Sequence, residues 1–159
     1  MSLKEEVDLL RRIPLFANIE ASKLKLLAFT SERVAFEGGQ VLFRQGDMGD
    51  AAYIIIEGEA EVLVDGPAGP VTVAVLGRDA FVGEIAILCD VPRTATVRAR
   101  QRLVCLRIAK ELFLRLINEF PQMAVAVMRE LALRLEASNQ KLRAAVAEIE
   151  ALRRPAQRA

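Results

Sequence analysis

All nine glycines of this 159-residue chain lie between positions 38 and 83. Glycine admits left-handed backbone and tight turns, and it weakens a helix interior. The chain therefore splits into a section that can reverse direction every few residues and a later section that reads as nearly continuous helix. In the first section, short runs rich in β-branched and other apolar residues recur at 33–36, 40–44, 51–56, 59–64 and 71–76. Turn clusters separate them, notably Glu37-Gly38-Gly39, Gln45-Gly46-Asp47-Met48-Gly49-Asp50 and Asp65-Gly66-Pro67. A short helical stretch at 84–88 interrupts the series, and strands resume at 94–99 and 103–108. This pattern predicts a mainly β fold with added helices: an antiparallel β-roll, jelly-roll-like, of eight or so strands.

Helices flank the roll. Apolar positions 3, 7, 10 and 13 have helical spacing up to Pro14, and a second short helix at 23–29 has Ser22 as its expected N-cap. After the roll, 110–118 and a long stretch beyond Pro121 are helical. The expected organisation is a helical segment at 1–30, a roll at 31–109, and C-terminal helices at 110–159 with the long helix over 122–153. Along that helix Ala124, Met128, Leu131, Leu135, Ser138, Leu142, Ala145, Ile149 and Leu152 alternate steps of four and three. Such a seam predicts a homodimer through a coiled coil, weakened at Ser138 and Ala145.

Composition removes several function classes. Basic and acidic residues number 22 and 21, so no electrostatic footprint for nucleic acid exists. The absence of histidine removes the commonest metal ligand and general base, and with them the usual catalytic pairs and cupin-type metal sites. No catalytic residue, metal or cofactor is expected, and the protein is not read as an enzyme. Asp47 and Asp50 read as turn chemistry rather than Ca²⁺ ligands. The N-terminus lacks the apolar core of a signal peptide, and no apolar run approaches membrane-spanning length, so a cytoplasmic protein is expected. Cys89 and Cys105 read as reduced thiols.

The chemistry lies in Gly83-Glu84-Ile85-Ala86-Ile87-Leu88-Cys89-Asp90-Val91-Pro92-Arg93-Thr94-Ala95-Thr96. Gly83 lets backbone approach a ligand closely, and the helical turn after it offers N–H groups to an anion. Arg93, positioned by Pro92, supplies a planar cation matched to paired phosphate oxygens. A carboxylate at Glu84 beside an anion site suits a partner arginine or a sugar hydroxyl. One phosphate, one hydroxyl and a strand-framed pocket describe a cyclic nucleotide.

The segment resembles the phosphate-binding cassette of cyclic-nucleotide-binding domains (81–97 here), whose pattern is Gly-Glu-x-Ala followed by Pro-Arg-x-Ala-Thr. Val82 departs from it, standing where the family usually has glycine. The stretch Gly46-Asp47…Tyr53-Ile54-Ile55-Ile56-Glu57-Gly58 is similar to the family's roll signature. The resemblance implies that Glu84 accepts from a ribose 2′-OH and that Arg93 pairs with the cyclic phosphate. It implies N–H contacts from Ile85, Ala86 and Ala95. It also implies that Thr94, after the arginine, bears on the choice between cAMP and cGMP. The long helix resembles that of the catabolite activator class, which would make Ser138 and Asn139 base contacts. The expected function is a sensor that binds cAMP or cGMP and relays occupancy through its C-terminal helix. A fragment of a catabolite-activator-like regulator without its DNA-binding part, and a scaffold with a degenerate pocket, are the alternatives.

Overall fold

The computed structural model describes the backbone of residues 3–157 and the side chains of 3–154; Met1, Ser2, Arg158 and Ala159 lie outside it. Eight strands form two four-stranded antiparallel sheets. One has the order β1 (Glu32–Phe36), β8 (Leu103–Ala109), β3 (Ala51–Glu57), β6 (Phe81–Val82). The other runs β2 (Val41–Phe43), β7 (Thr96–Ala99), β4 (Ala60–Gly66), β5 (Gly69–Leu76). This is the antiparallel roll the glycine pattern predicts. The helices are α1 (Leu3–Arg12), a 3-10 turn at Pro14–Phe16, α2 (Ala21–Thr30), α3 (Glu84–Leu88), α4 (Lys110–Glu119) and α5 (Pro121–Gln157).

Strand β3 shows why the run at 51–56 carries no alternation. Ala51, Tyr53 and Ile55 point into the roll, where they meet Val82, Val97, Leu103 and Cys105. Ala52 and Ile54 point the other way, into a second core built with Phe16, Leu24, Ile108, Phe113, Met123 and Val127. The strand is buried on both faces, so neither face needs polar residues. The helices are thus anchored to one sheet of the roll, and α5 starts from the same apolar core that underlies the cassette.

Two local expectations change. Ser22 is not the N-cap of α2; the helix begins at Ala21, and Glu20 holds the cap position without a side-chain bond. Strand β7 begins at Thr96, two residues later than the pattern suggests. Thr94 and Ala95 stay outside it because the preceding backbone is clamped elsewhere: Gly46 N–H donates to Arg93 O at 2.8 Å and Arg93 N–H to Asp47 O at 2.8 Å. The Gln45–Asp50 cluster is therefore a clamp on the Pro-Arg end of the cassette. Among the described residues no group of three or more metal-type ligands occurs, and no helix is long and apolar enough to cross a membrane.

Candidate functional site

The cassette is a strand end, a tight turn and one short helix. Gly83 sits at the N-cap of α3 with φ 85°, a conformation that strains any residue with a side chain. Space forbids one too: a Cβ there would lie 2.5 Å from Nη1 of Arg93. Gly49 faces a similar limit, since its Cβ would come within 2.6 Å of the Ala86 Cβ. These two glycines let the β2–β3 loop, the cassette turn and Arg93 close on one another.

Arg93 is 3% exposed and stretched along the roll's interior. Its Nη1 donates to Gly83 O at 2.7 Å and its Nη2 to Ala51 O at 2.6 Å. The guanidinium lies over the Phe43 ring, 3.9 Å from its centroid. Its nearest carboxylate is the exposed Asp50, 3.5 Å away, which also holds Arg107 at 3.1 Å. Burial pulls the Arg93 pKa down, against the opposing pull of Asp50. Its Nε is buried and has no hydrogen-bond partner among the described residues. Such a donor is costly unless something supplies an acceptor.

Glu84 is also 3% exposed, and its partner comes from α5. Arg134 Nη1 donates to Glu84 Oε1 at 3.1 Å, and Arg134 Nη2 donates to Phe81 O. The Arg134 guanidinium covers the Phe81 ring at 4.6 Å, and its Nε lies 3.5 Å from Glu130. Desolvation raises the Glu84 pKa above the carboxylate norm; Arg134, and to a lesser degree Arg93, oppose it without prevailing.

Glu84 and Arg93 line one pocket, together with Gly83, Ile85, Ala86, Thr94, Ala95, Phe43, Val62, Leu76, Val82, Val97 and Arg134. The structure thus brings together every cassette residue singled out from sequence. It does not bring Ser138 or Asn139 to the pocket; in the single chain Ser138 is exposed and Asn139 half-buried. The α5 residue that reaches the pocket is Arg134. The sequence carries a partial signal for it: Met123, Val127 and Arg134 share one helical stripe, which puts a cation in line with apolar residues. A cation in line with buried apolar residues needs an acid to meet.

The Cyclic nucleotide-binding domain profile matches residues 33–120. The chain belongs to the cyclic nucleotide-binding domain family. The domain is 38% identical over 110 residues to a cAMP-dependent protein kinase regulatory subunit of Blastocladiella emersonii, covering 69% of this chain and 27% of that protein. It spans about a quarter of the length of such curated relatives. Among solved structures, the sensor domain of the transcriptional regulator DNR from Pseudomonas aeruginosa superposes with a TM-score of 0.73 at 25% identity, over 84% of this chain and 90% of that one. The Thermus thermophilus catabolite activator protein superposes with a TM-score of 0.70 at 28% identity, over 81% and 61%.

Proposed function

We propose that this domain binds cAMP or cGMP in the cassette pocket and signals occupancy through α5. The observation that carries the reading is the convergence of Glu84 and Arg93, both buried, on one pocket in a domain of this family. Arg93 has a buried donor still unused, and a phosphate oxygen beside it would supply the acceptor. Glu84 is an acceptor for a ribose hydroxyl, and Thr94 stands at the pocket wall where a base can be discriminated.

Volume supports the signalling half. The pocket measures about 110 Å³, below the ~300 Å³ at which small-molecule sites begin. Arg134 of α5 forms one wall and holds Glu84. A nucleotide that takes Glu84 for its ribose must displace or re-aim Arg134, and so move α5. The free energy available for that movement is the ligand's differential affinity for the two helix positions. Most seam residues (Met128, Leu135, Leu142, Ile149 and Leu152) are exposed in the single chain, while Leu131 packs on the protein's own core, which supports a homodimer through α5 as the second part of the output.

Calorimetric titration of both nucleotides tests the reading. Wild type is expected to bind at least one of them below the millimolar range, and Glu84→Ala and Arg93→Ala to lose that binding. Arg93→Ala also strips donors from Gly83 O and Ala51 O, a loss of about 2–3 kcal/mol in stability, so it is titrated well below its melting temperature. No binding to wild type ends the reading. Stronger cGMP binding that Thr94→Ala abolishes would assign guanine.

A second reading makes the chain the sensor part of a transcription regulator. The match to 90% of the DNR sensor domain favours it. It shares the pocket and the helix with the first reading and differs in what lies downstream.

A further inference from the structure

A second concavity, lined by Phe81, shares no lining residue with the cassette pocket. It is lined by Pro14 and Leu15 of the 3-10 turn, by Arg78, Asp79 and Ala80 of the β5–β6 loop, and by Ala126, Arg129, Glu130 and Leu133 of α5. Its volume is about 320 Å³, roughly three times that of the cassette pocket, and within the range of small-molecule sites.

Its chemistry is two-sided. Leu15, Phe81 and Ala126 give an apolar floor, and Leu133, exposed, gives an apolar rim. Arg78 and Arg129 bring two guanidinium groups from separate segments, and neither has an ion pair or hydrogen bond among the described residues. Of the two acids present, Glu130 is shared with Arg134 at 3.5 Å. Asp79 pairs with neither arginine, so two free cations face one free carboxylate.

The loop that carries Arg78 is fixed by backbone. Asp79 N–H donates to Ile55 O at 2.8 Å, Ile55 N–H to Ala80 O at 2.9 Å, and Ala80 N–H to Gly77 O at 3.1 Å. Asp79 holds φ 71°, in the left-handed region that non-glycine residues, aspartate among the exceptions, seldom adopt. Arg78 therefore leaves a rigid turn, and Arg129 leaves the part of α5 anchored by Val127. Two unpaired guanidiniums on fixed elements beside an apolar floor suit a planar acid group on an apolar body.

We propose that this groove is a second binding site, distinct from the cassette pocket, for a small organic acid with an apolar body. The site stands independently of cyclic-nucleotide binding.

The test is an amide-resolved NMR titration of the nucleotide-free full chain with 2-naphthoate, and in parallel with its neutral counterpart 2-naphthalenemethanol. The expected result is shifts at Asp79, Ala80, Phe81 and the 126–133 turn of α5, with the alcohol binding at least tenfold more weakly. Arg78→Glu/Arg129→Glu is expected to weaken 2-naphthoate at least tenfold. Arg78→Gln/Arg129→Gln, which removes charge without reversing it, gives the same direction should the first variant melt early. Three outcomes overturn the proposal. One is equal binding of acid and alcohol; another is shifts centred on residues 83–97 or 138–154. The third is probe affinity that falls as protein concentration rises, which would mean a second copy covers the groove.

Discussion

The two halves of α5 carry similar densities of apolar residues and meet opposite fates. In the first half Met123 is 0% exposed, Val127 is 2% exposed, and Arg134 reaches the cassette. In the second half Leu142 is 62% and Leu152 74% exposed. The difference is one of face as much as of distance. The buried stripe is Met123, Val127, Arg134; the seam runs along another side of the helix, with Ala124 and Leu131 half-buried and Met128, Leu135, Leu142 and Ile149 exposed. One helix thus offers one stripe to its own fold and a second to something else, and Arg134 marks where the first stripe ends.

The largest effect should come from the packed half. Met123→Ala is expected to cost about 2–5 kcal/mol of unfolding free energy, read by chemical denaturation. An effect below 1 kcal/mol would mean that the roll does not hold α5. In the bare half the same measurement should barely move: Leu142→Asp with Ile149→Asp is expected to stay within about 0.5 kcal/mol at monomer concentrations. Self-association is where that pair should act, with a loss of a hundredfold or more, about 2.7 kcal/mol, by sedimentation. A wild type that stays monomeric throughout would remove the dimer and leave the seam unexplained.

Arg134→Ala acts at the boundary. It removes the nearest cation from a buried carboxylate, which is costly when the charge cannot escape to water. Because Arg134 is itself about a quarter exposed, the expected loss is on the order of 1–2 kcal/mol. The same change opens the cassette pocket wall, so nucleotide affinity should respond even where stability changes little. A melting temperature and a nucleotide affinity both equal to wild type would detach α5 from the site.

The smallest effect is in pH. The Glu84 pKa is raised above 4.5, chiefly by desolvation. A carboxyl whose folded pKa exceeds its unfolded one binds its proton more tightly in the native state. Its contribution is fully present below pH 4.5 and is lost as pH rises through the folded pKa. Glu84→Gln should therefore flatten this part of the stability profile from pH 4.5 upward. An unchanged slope would mean that Arg134 compensates the burial in full. Cys105 lies outside this window, since burial pushes its thiol up to about 12.

Much of this is legible in the sequence. The glycine distribution announced the roll, because reversals need left-handed backbone and helices reject it. The cassette residues Gly83, Glu84, Ile85, Ala86, Arg93, Thr94 and Ala95 were readable because they lie within 13 consecutive positions and converge through one turn and one short helix. Strand β6 was missed as a strand: two residues paired to β3 leave no periodicity to detect. The shift of the α2 cap from Ser22 to Glu20 is of the same kind, a choice made by packing of Leu24 and Leu27 rather than by capping propensity.

The sequence alone determined the local elements and the chemical inventory, because turns, periodicity and charge are written within a few residues of one another. Only the tertiary structure decided who meets whom. Glu84 and Arg134 are 50 positions apart, and Arg93 and Ala51 are 42. Those pairings follow from burying β3 on both faces and laying α5 over the same core. No local pattern encodes the resulting position of a helix that begins only at Pro121, well beyond the cassette.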